Sequence, residues 1–177
     1  MSRVDTALAT LFAKYTLDAW PVDPRRIAQL LDITIVEQPA VPDVRVMLLR
    51  KEGQTVIGVN TAHSPATQRL AIAHSIGHHQ LHRGRPLFLD TDQRPLLNPP
   101  PPAIPTDREE AEANRYALGL LAPESLLRKE ARQAEADTAA ELVTRLARRF
   151  DLTERAMACH LMHHGIVTDP GDTSPTL

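Results

Sequence analysis

The sequence predicts an α+β domain in which about six to seven helices pack with a small, mostly antiparallel sheet of three strands. Three observations carry this expectation. Ser, Thr and Asp residues followed by proline, or by glutamate three positions on, mark helix starts along the chain. Ahead of the third helix lie three runs rich in β-branched and aliphatic residues. Of 177 residues, 42% are hydrophobic but only 3% aromatic, so one aliphatic core of single-domain size is expected.

The elements follow in order. Leu8, Leu11 and Phe12 recur at helical spacing within residues 4–15. Asp23 as N-cap and Pro24 at the first helical position open a helix carrying Ile27, Leu30 and Leu31. Residues 33–36 are β-branched throughout, residues 44–49 are mostly apolar, and residues 55–59 follow a turn at Gly53. Ser64 and Pro65 open a helix reaching to about residue 83. Residues 84–105 read as a loop, because the prolines at 99–102 and Pro105 exclude helix and central strand and favour extended polyproline. A loop of this length is unusual in a compact domain unless it is functional. Thr106 and Glu109 form a capping box for a helix to Leu121. Pro123 starts a short helix, Asp137 caps one over 138–150, and Thr153 caps the last, which stops at Gly165. A domain spanning 1–166, with its closing helical pair at 138–165, is expected to end in a disordered polar tail over 167–177.

Composition excludes several classes. Twenty Lys and Arg against 22 Asp and Glu give a net charge of −2, which argues against a protein that coats nucleic acid. One cysteine, Cys159, rules out an intramolecular disulfide framework. There is no apolar run of about 18 residues for a transmembrane helix. The first residues lack the basic-then-apolar layout of a signal peptide, so a cytoplasmic location is expected.

The chemistry concentrates in the helix from Pro65. His74, His78, His79 and His82 fall within nine residues. His74 and His78, spaced i and i+4, point the same way from adjacent turns, the geometry with which two imidazoles grip one zinc ion. They lie at the flank of an apolar side formed by Leu70, Ala73, Gly77 and Leu81. Most such pairs bind nothing, so a third ligand is needed. The helix from Thr106 offers Glu110, which falls among Ala113, Ala117, Leu120 and Leu121 on the inward face. A carboxylate there is costly unless it is paired or bound to metal. Glu109 lies at the border of that face and Glu112 faces out. Both suit the ordinary role of acidic residues at a helix N-terminus and are weaker ligand candidates. Asn114, one turn beyond Glu110, is placed to hydrogen-bond a ligand. His82 extends the histidine row but drifts around the helix, and reads as a hydrogen-bonded helix-end histidine before a ligand. His79 reads as exposed, and His63 as reaching a pocket rim.

Residues 68–82, QRLAIAHSIGHHQLH, resemble the RxxFTIAHELGHxLLH segment of ImmA/IrrE-type zinc metallopeptidases. Residues 110–123, EAEANRYALGLLAP, resemble that family's ExEANxFAxxLLMP. The preamble Trp20-Pro21-Val22-Asp23-Pro24, the Gly58-Val59-Asn60 run and the closing segment 146–165 resemble it as well. The resemblance implies a zincin-like fold, one Zn²⁺ held by His74, His78 and Glu110, and a helix-turn-helix repressor as the protein acted upon, encoded nearby. Tyr116 stands where the family usually carries Phe, so packing accounts for it.

One departure bears on activity. The HExxH pattern places a glutamate directly after the first histidine as general base. Here that position is Ser75, whose hydroxyl takes no proton near neutral pH. A general base contributes about 10²–10⁴-fold. The expectation is therefore an endopeptidase domain with impaired catalysis, unless another carboxylate such as Glu109 or the substrate supplies the base. The alternatives are a zinc-binding pseudoprotease, or a DNA-binding regulator using the last two helices. Direct nucleic-acid binding is disfavoured, because the final helix offers mainly Arg155 with His160, His163 and His164 where base-reading residues would sit.

Overall fold

The structure, a computed structural model, describes residues 2–15, 17, 20–91 and 106–168. The order of elements is α1 (Arg3–Tyr15), α2 (Pro24–Leu30), β1 (Ile33–Gln38), β2 (Val44–Lys51), β3 (Gln54–Asn60), α3 (Pro65–Leu81), β4 (Leu87–Thr91), α4 (Asp107–Leu121), α5 (Glu124–Gln133), α6 (Ala139–Phe150) and α7 (Glu154–His163). The fold is α+β, with seven helices among the described residues.

Local chemistry explains most boundaries. Asp23 accepts a hydrogen bond from the Arg25 amide at the start of α2. Ser64 accepts one from the Thr67 amide, with Pro65 inside the first turn of α3. The Thr106–Glu109 capping box is complete at α4. At α6 the cap is Thr138, not Asp137, because the Thr138 hydroxyl accepts from the Glu141 amide. Gly165 ends the chain's last helical turn with φ +63°.

The sheet corrects the expectation of three strands. Four strands lie in the order β1-β3-β2-β4. β1 and β3 are parallel, whereas β2 pairs antiparallel with both β3 and β4. β2 and β3 form a hairpin through Glu52 and Gly53, whose φ values of 52° and 79° suit a tight two-residue turn. The fourth strand lies inside the segment expected to be loop. The rest of that segment, 92–105, including its proline run, lies outside the described residues, as does the tail from 169.

Ile33, Val46, Leu48, Ile57, Val59 and Phe88 bury one face of the sheet, against which α3 packs. α3 also runs along α4 and touches α1 and α2. It is therefore not amphipathic. Residues 71–78 are all buried, and Leu70, expected at the centre of an apolar face, is only half-buried. A helix enclosed on nearly every side makes its two inward histidines part of the core. Arg69, itself buried, ties α3 to the closing helices through the Asp151 carboxylate at 3.0 Å and the carbonyls of Phe150 and Asp151. No helix among the described residues is long and apolar enough to cross a membrane.

Candidate metal centre

Backbone features fix the two helices that meet at the centre. Arg50, reaching across from β2, donates to the carbonyls of His78 (2.9 Å), His82 (3.1 Å) and Arg85 (2.6 Å), and so caps the C-terminal end of α3. Gly77 lets α4 come close, since a Cβ there would stand 3.1 Å from the Cα and carbonyl oxygen of Ala113.

Across this approach, His74, His78 and Glu110 converge. Each offers one ligand atom, and the three atoms lie within 4.8 Å of one another. His74 Nε2 and His78 Nε2 are 3.0 Å apart, His78 Nε2 is 3.2 Å from Glu110 Oε1, and His74 Nε2 is 3.5 Å from Glu110 Oε2. A tetrahedral zinc with bonds of about 2.0–2.1 Å holds its donors roughly 3.3 Å apart, so the spacing fits.

The outer nitrogens of both rings are occupied. His74 Nδ1 faces Asn114 Oδ1 at 3.0 Å. An amide oxygen only accepts, so the ring donates from Nδ1 and a neutral His74 keeps a lone pair on Nε2. His78 Nδ1 faces His82 Nδ1 at 2.9 Å, and His82 Nε2 faces Glu112 Oε2 at 3.0 Å. His78 also stacks on Phe88, with ring centres 4.3 Å apart. Two imidazole nitrogens and a carboxylate turned to a common point form a donor set suited to a cation.

The electrostatics agree. Burial works against ionisation of Glu110, but hydrogen bonds and charge from His74 and His78 hold its carboxyl well below the usual carboxylate range. Burial opposes a charged His74, yet the Glu110 carboxylate outweighs it and the net shift is upward. Burial pushes His78 down to about 4, with Glu110 offsetting only part.

The centre opens on a cleft of about 1030 Å³. Its floor is α3, through Thr67, Leu70, Ala71 and His74. One wall is Leu89, Asp90 and Thr91 of β4 with Arg45 of β2, and His63 stands at the loop before α3. α4 lines the cleft with Glu110, Asn114 and Leu118, and α7 with its N-cap Thr153 and with Arg155, Ala156 and Cys159.

The remaining expected residues fall as follows. Ser75 is 2% exposed and is not among the residues lining the cleft. Glu109 is committed elsewhere, accepting from the Thr106 amide and hydroxyl and pairing with Arg85 at 3.0 Å. Glu112 does not face out as expected. It bonds His82, because the end of α3 wraps over that flank of α4. His82 is a C-cap residue joined to both His78 and Glu112. His79 is half-buried, not exposed, and its Nδ1 has no partner. Tyr116 is fully buried and its hydroxyl is unpartnered, as for a packing residue. The sequence reading missed Asp90 and Arg45, which pair in the cleft wall at 2.6 Å, and the place of Cys159 in the same cleft. Only the existence of β4 could have signalled the first two.

Over residues 28–162 the sequence matches the peptidase family described as the IrrE N-terminal-like domain. No curated protein sequence matches it. Among solved structures, a Mycobacterium tuberculosis transcriptional regulator is similar in fold, with 16% identity and a TM-score of 0.56. The likeness covers 92% of this chain and 47% of that one, so the chain spans about half the length of its structural neighbour.

Proposed function

Because this chain belongs to the IrrE N-terminal-like family of peptidases, we propose that it is a zinc-binding endopeptidase domain whose cleft takes a segment of a helix-turn-helix repressor and whose hydrolysis is slowed by the serine at position 75. The observation that carries this reading is the convergence of His74, His78 and Glu110 on one point in the wall of a peptide-sized cleft.

A bound zinc supplies Lewis acidity and lowers the pKa of water to about 7. The chain's own residues do the rest. Asn114 holds the His74 ring with Nε2 inward. Among the described residues β4 is the edge strand on the cleft side, and an extended peptide laid along it would pair with its backbone. Leu70 and Leu118 offer apolar surface beside the centre, and Arg155 offers charge at the rim. Among the described residues no free base stands at the centre. Ser75 cannot serve near neutral pH, Glu109 is held in its cap, and Asp90 is paired with Arg45. Loss of a general base costs about 10²–10⁴-fold.

A second reading, a pseudoprotease that binds zinc and the repressor without cutting, is favoured by the burial of Ser75. The third, a DNA-binding regulator, loses its best base-reading side chain, since Arg155 lines the cleft.

Protein purified without a metal-affinity tag should carry about one zinc per chain by elemental analysis. Zinc far below that, even after incubation with the metal, overturns the reading. Incubation with the repressor encoded beside the gene, followed by mass spectrometry, should show slow cleavage. Ser75→Glu should raise it on the order of 10²-fold, with Ser75→Ala as control. Fast cleavage by the unaltered protein with no gain from Ser75→Glu would place the base elsewhere. Binding without cleavage by either form would establish the second reading.

A further inference from the structure

We propose that His82 and Glu112 are positioning residues for His78, acting as a two-link relay that fixes its tautomer. Their role rests on the reading of His74, His78 and Glu110 as metal ligands.

With a cation on His78 Nε2, the chain of contacts admits one proton arrangement for neutral rings. Glu112 takes the Arg108 guanidinium on one oxygen, at 3.1 Å, and faces His82 Nε2 with the other, and a carboxylate paired with a guanidinium only accepts. His82 must therefore donate from Nε2 across the 3.0 Å contact. A neutral His82 then carries a lone pair on Nδ1. With a cation on its Nε2, His78 must donate to that lone pair from Nδ1, 2.9 Å away; without one, the Glu110 carboxylate 3.2 Å from Nε2 competes for the same proton. With Nε2 given to a cation, reversing either link would place two lone pairs or two protons against each other.

The relay is built into the fold. His78 and His82 side chains are 2% and 5% exposed. The backbones of both are gripped by Arg50. Glu112 is held in turn by Arg108 at 3.1 Å, one turn earlier on α4, and by Arg3 of α1 at 3.9 Å, while Arg3 also donates to the Leu81 carbonyl. The two inner histidines are thus oriented differently. His74 relies on a neutral amide in the cleft, and His78 on a buried ring backed by an anion. Partners of this kind raise ligand basicity and fix ring orientation, and losing one typically lowers metal affinity about 10–100-fold.

Two measurements test this. The first is zinc affinity by chelator competition, read with the visible spectrum of the cobalt-substituted protein. His82→Ala should weaken zinc about 10–100-fold. Glu112→Gln should weaken it less, and the double variant should be no weaker than His82→Ala alone. His82→Gln should retain most of the affinity, because its amide oxygen can accept from His78 and its NH₂ can donate to Glu112. Additive losses, or equal affinity in His82→Ala and the unaltered protein, would overturn the proposal. The second needs no metal. Ring-nitrogen NMR shifts should show an Nδ1–H population of His78 in the unaltered apo-protein that falls in favour of the Nε2–H form in His82→Ala. Unchanged tautomers would overturn it too. Failure of the unaltered protein to bind zinc, with these NMR shifts as expected, would overturn the ligand reading and leave the relay standing.

Discussion

Glu110 and Glu112 stand two positions apart on α4 and do different work. Glu110 points between two histidines, whereas Glu112 reaches sideways to a third. Glu110→Gln should lower zinc occupancy far more than Glu112→Gln, measured by elemental analysis after identical loading. The inward place of Glu110 was legible in the sequence, because a carboxylate among alanines and leucines needs a partner. The place of Glu112 was not, because its partner belongs to another helix and helical periodicity says nothing about what wraps around a flank. His160 makes a separate residue-scale prediction. Burial pushes its imidazole down to about 4, and the 2.8 Å hydrogen bond it donates to the Ala122 carbonyl offsets only part of that. The unfolded chain takes up this proton near the ordinary value of 6.5, and the folded chain refuses it until about 4. Stability from this group is therefore complete above that window and falls as pH drops through it, by up to about 3 kcal/mol. Unfolding free energies measured from pH 7 to 4 should show a shallower decline for His160→Gln than for the unaltered protein.

At the scale of elements, the meeting of α3 and α4 governs the centre. Gly77→Ala gains about 1 kcal/mol of helix propensity but inserts a methyl 3.1 Å from Ala113 and 3.2 Å from Cβ of Tyr116. Overpacking of this kind costs about 1–3 kcal/mol, so a net destabilisation of about 1 kcal/mol is expected by thermal denaturation. Zinc affinity should fall with it, since His74 and Glu110 lie on opposite sides of that contact. The starts of α2, α3 and α4 were readable because capping is local chemistry between neighbours in sequence. β4 was not. Leu87, Phe88 and Leu89 form a short run without β-branched residues, beside a proline-rich stretch, and they become a strand only by pairing with β2, about forty residues earlier. The parallel pairing of β1 with β3 was hidden for the same reason, as strand order is a property of the assembled sheet.

For the whole molecule, a metal shared by α3 and α4 would bind the native state and not the unfolded chain. Zinc at a hundred times its Kd would then stabilise the fold by about 2.7 kcal/mol. For a domain of this size that is a rise of roughly 5–10 °C in the melting temperature, reversed by a chelator and read by calorimetry. The aliphatic core and the seven helices follow from composition and periodicity. The cleft does not, because its walls come from β4, α4 and α7 and exist only after folding. One of those walls carries the chain's single thiol. Cys159 is exposed and faces the same space as His74 and Glu110. A maleimide fluorophore or a photo-crosslinker will therefore attach at one position, inside the groove, without any engineered cysteine. Such a label turns occupancy of the groove into a change in emission, and a flash of light into a covalent record of whatever chain was lying there.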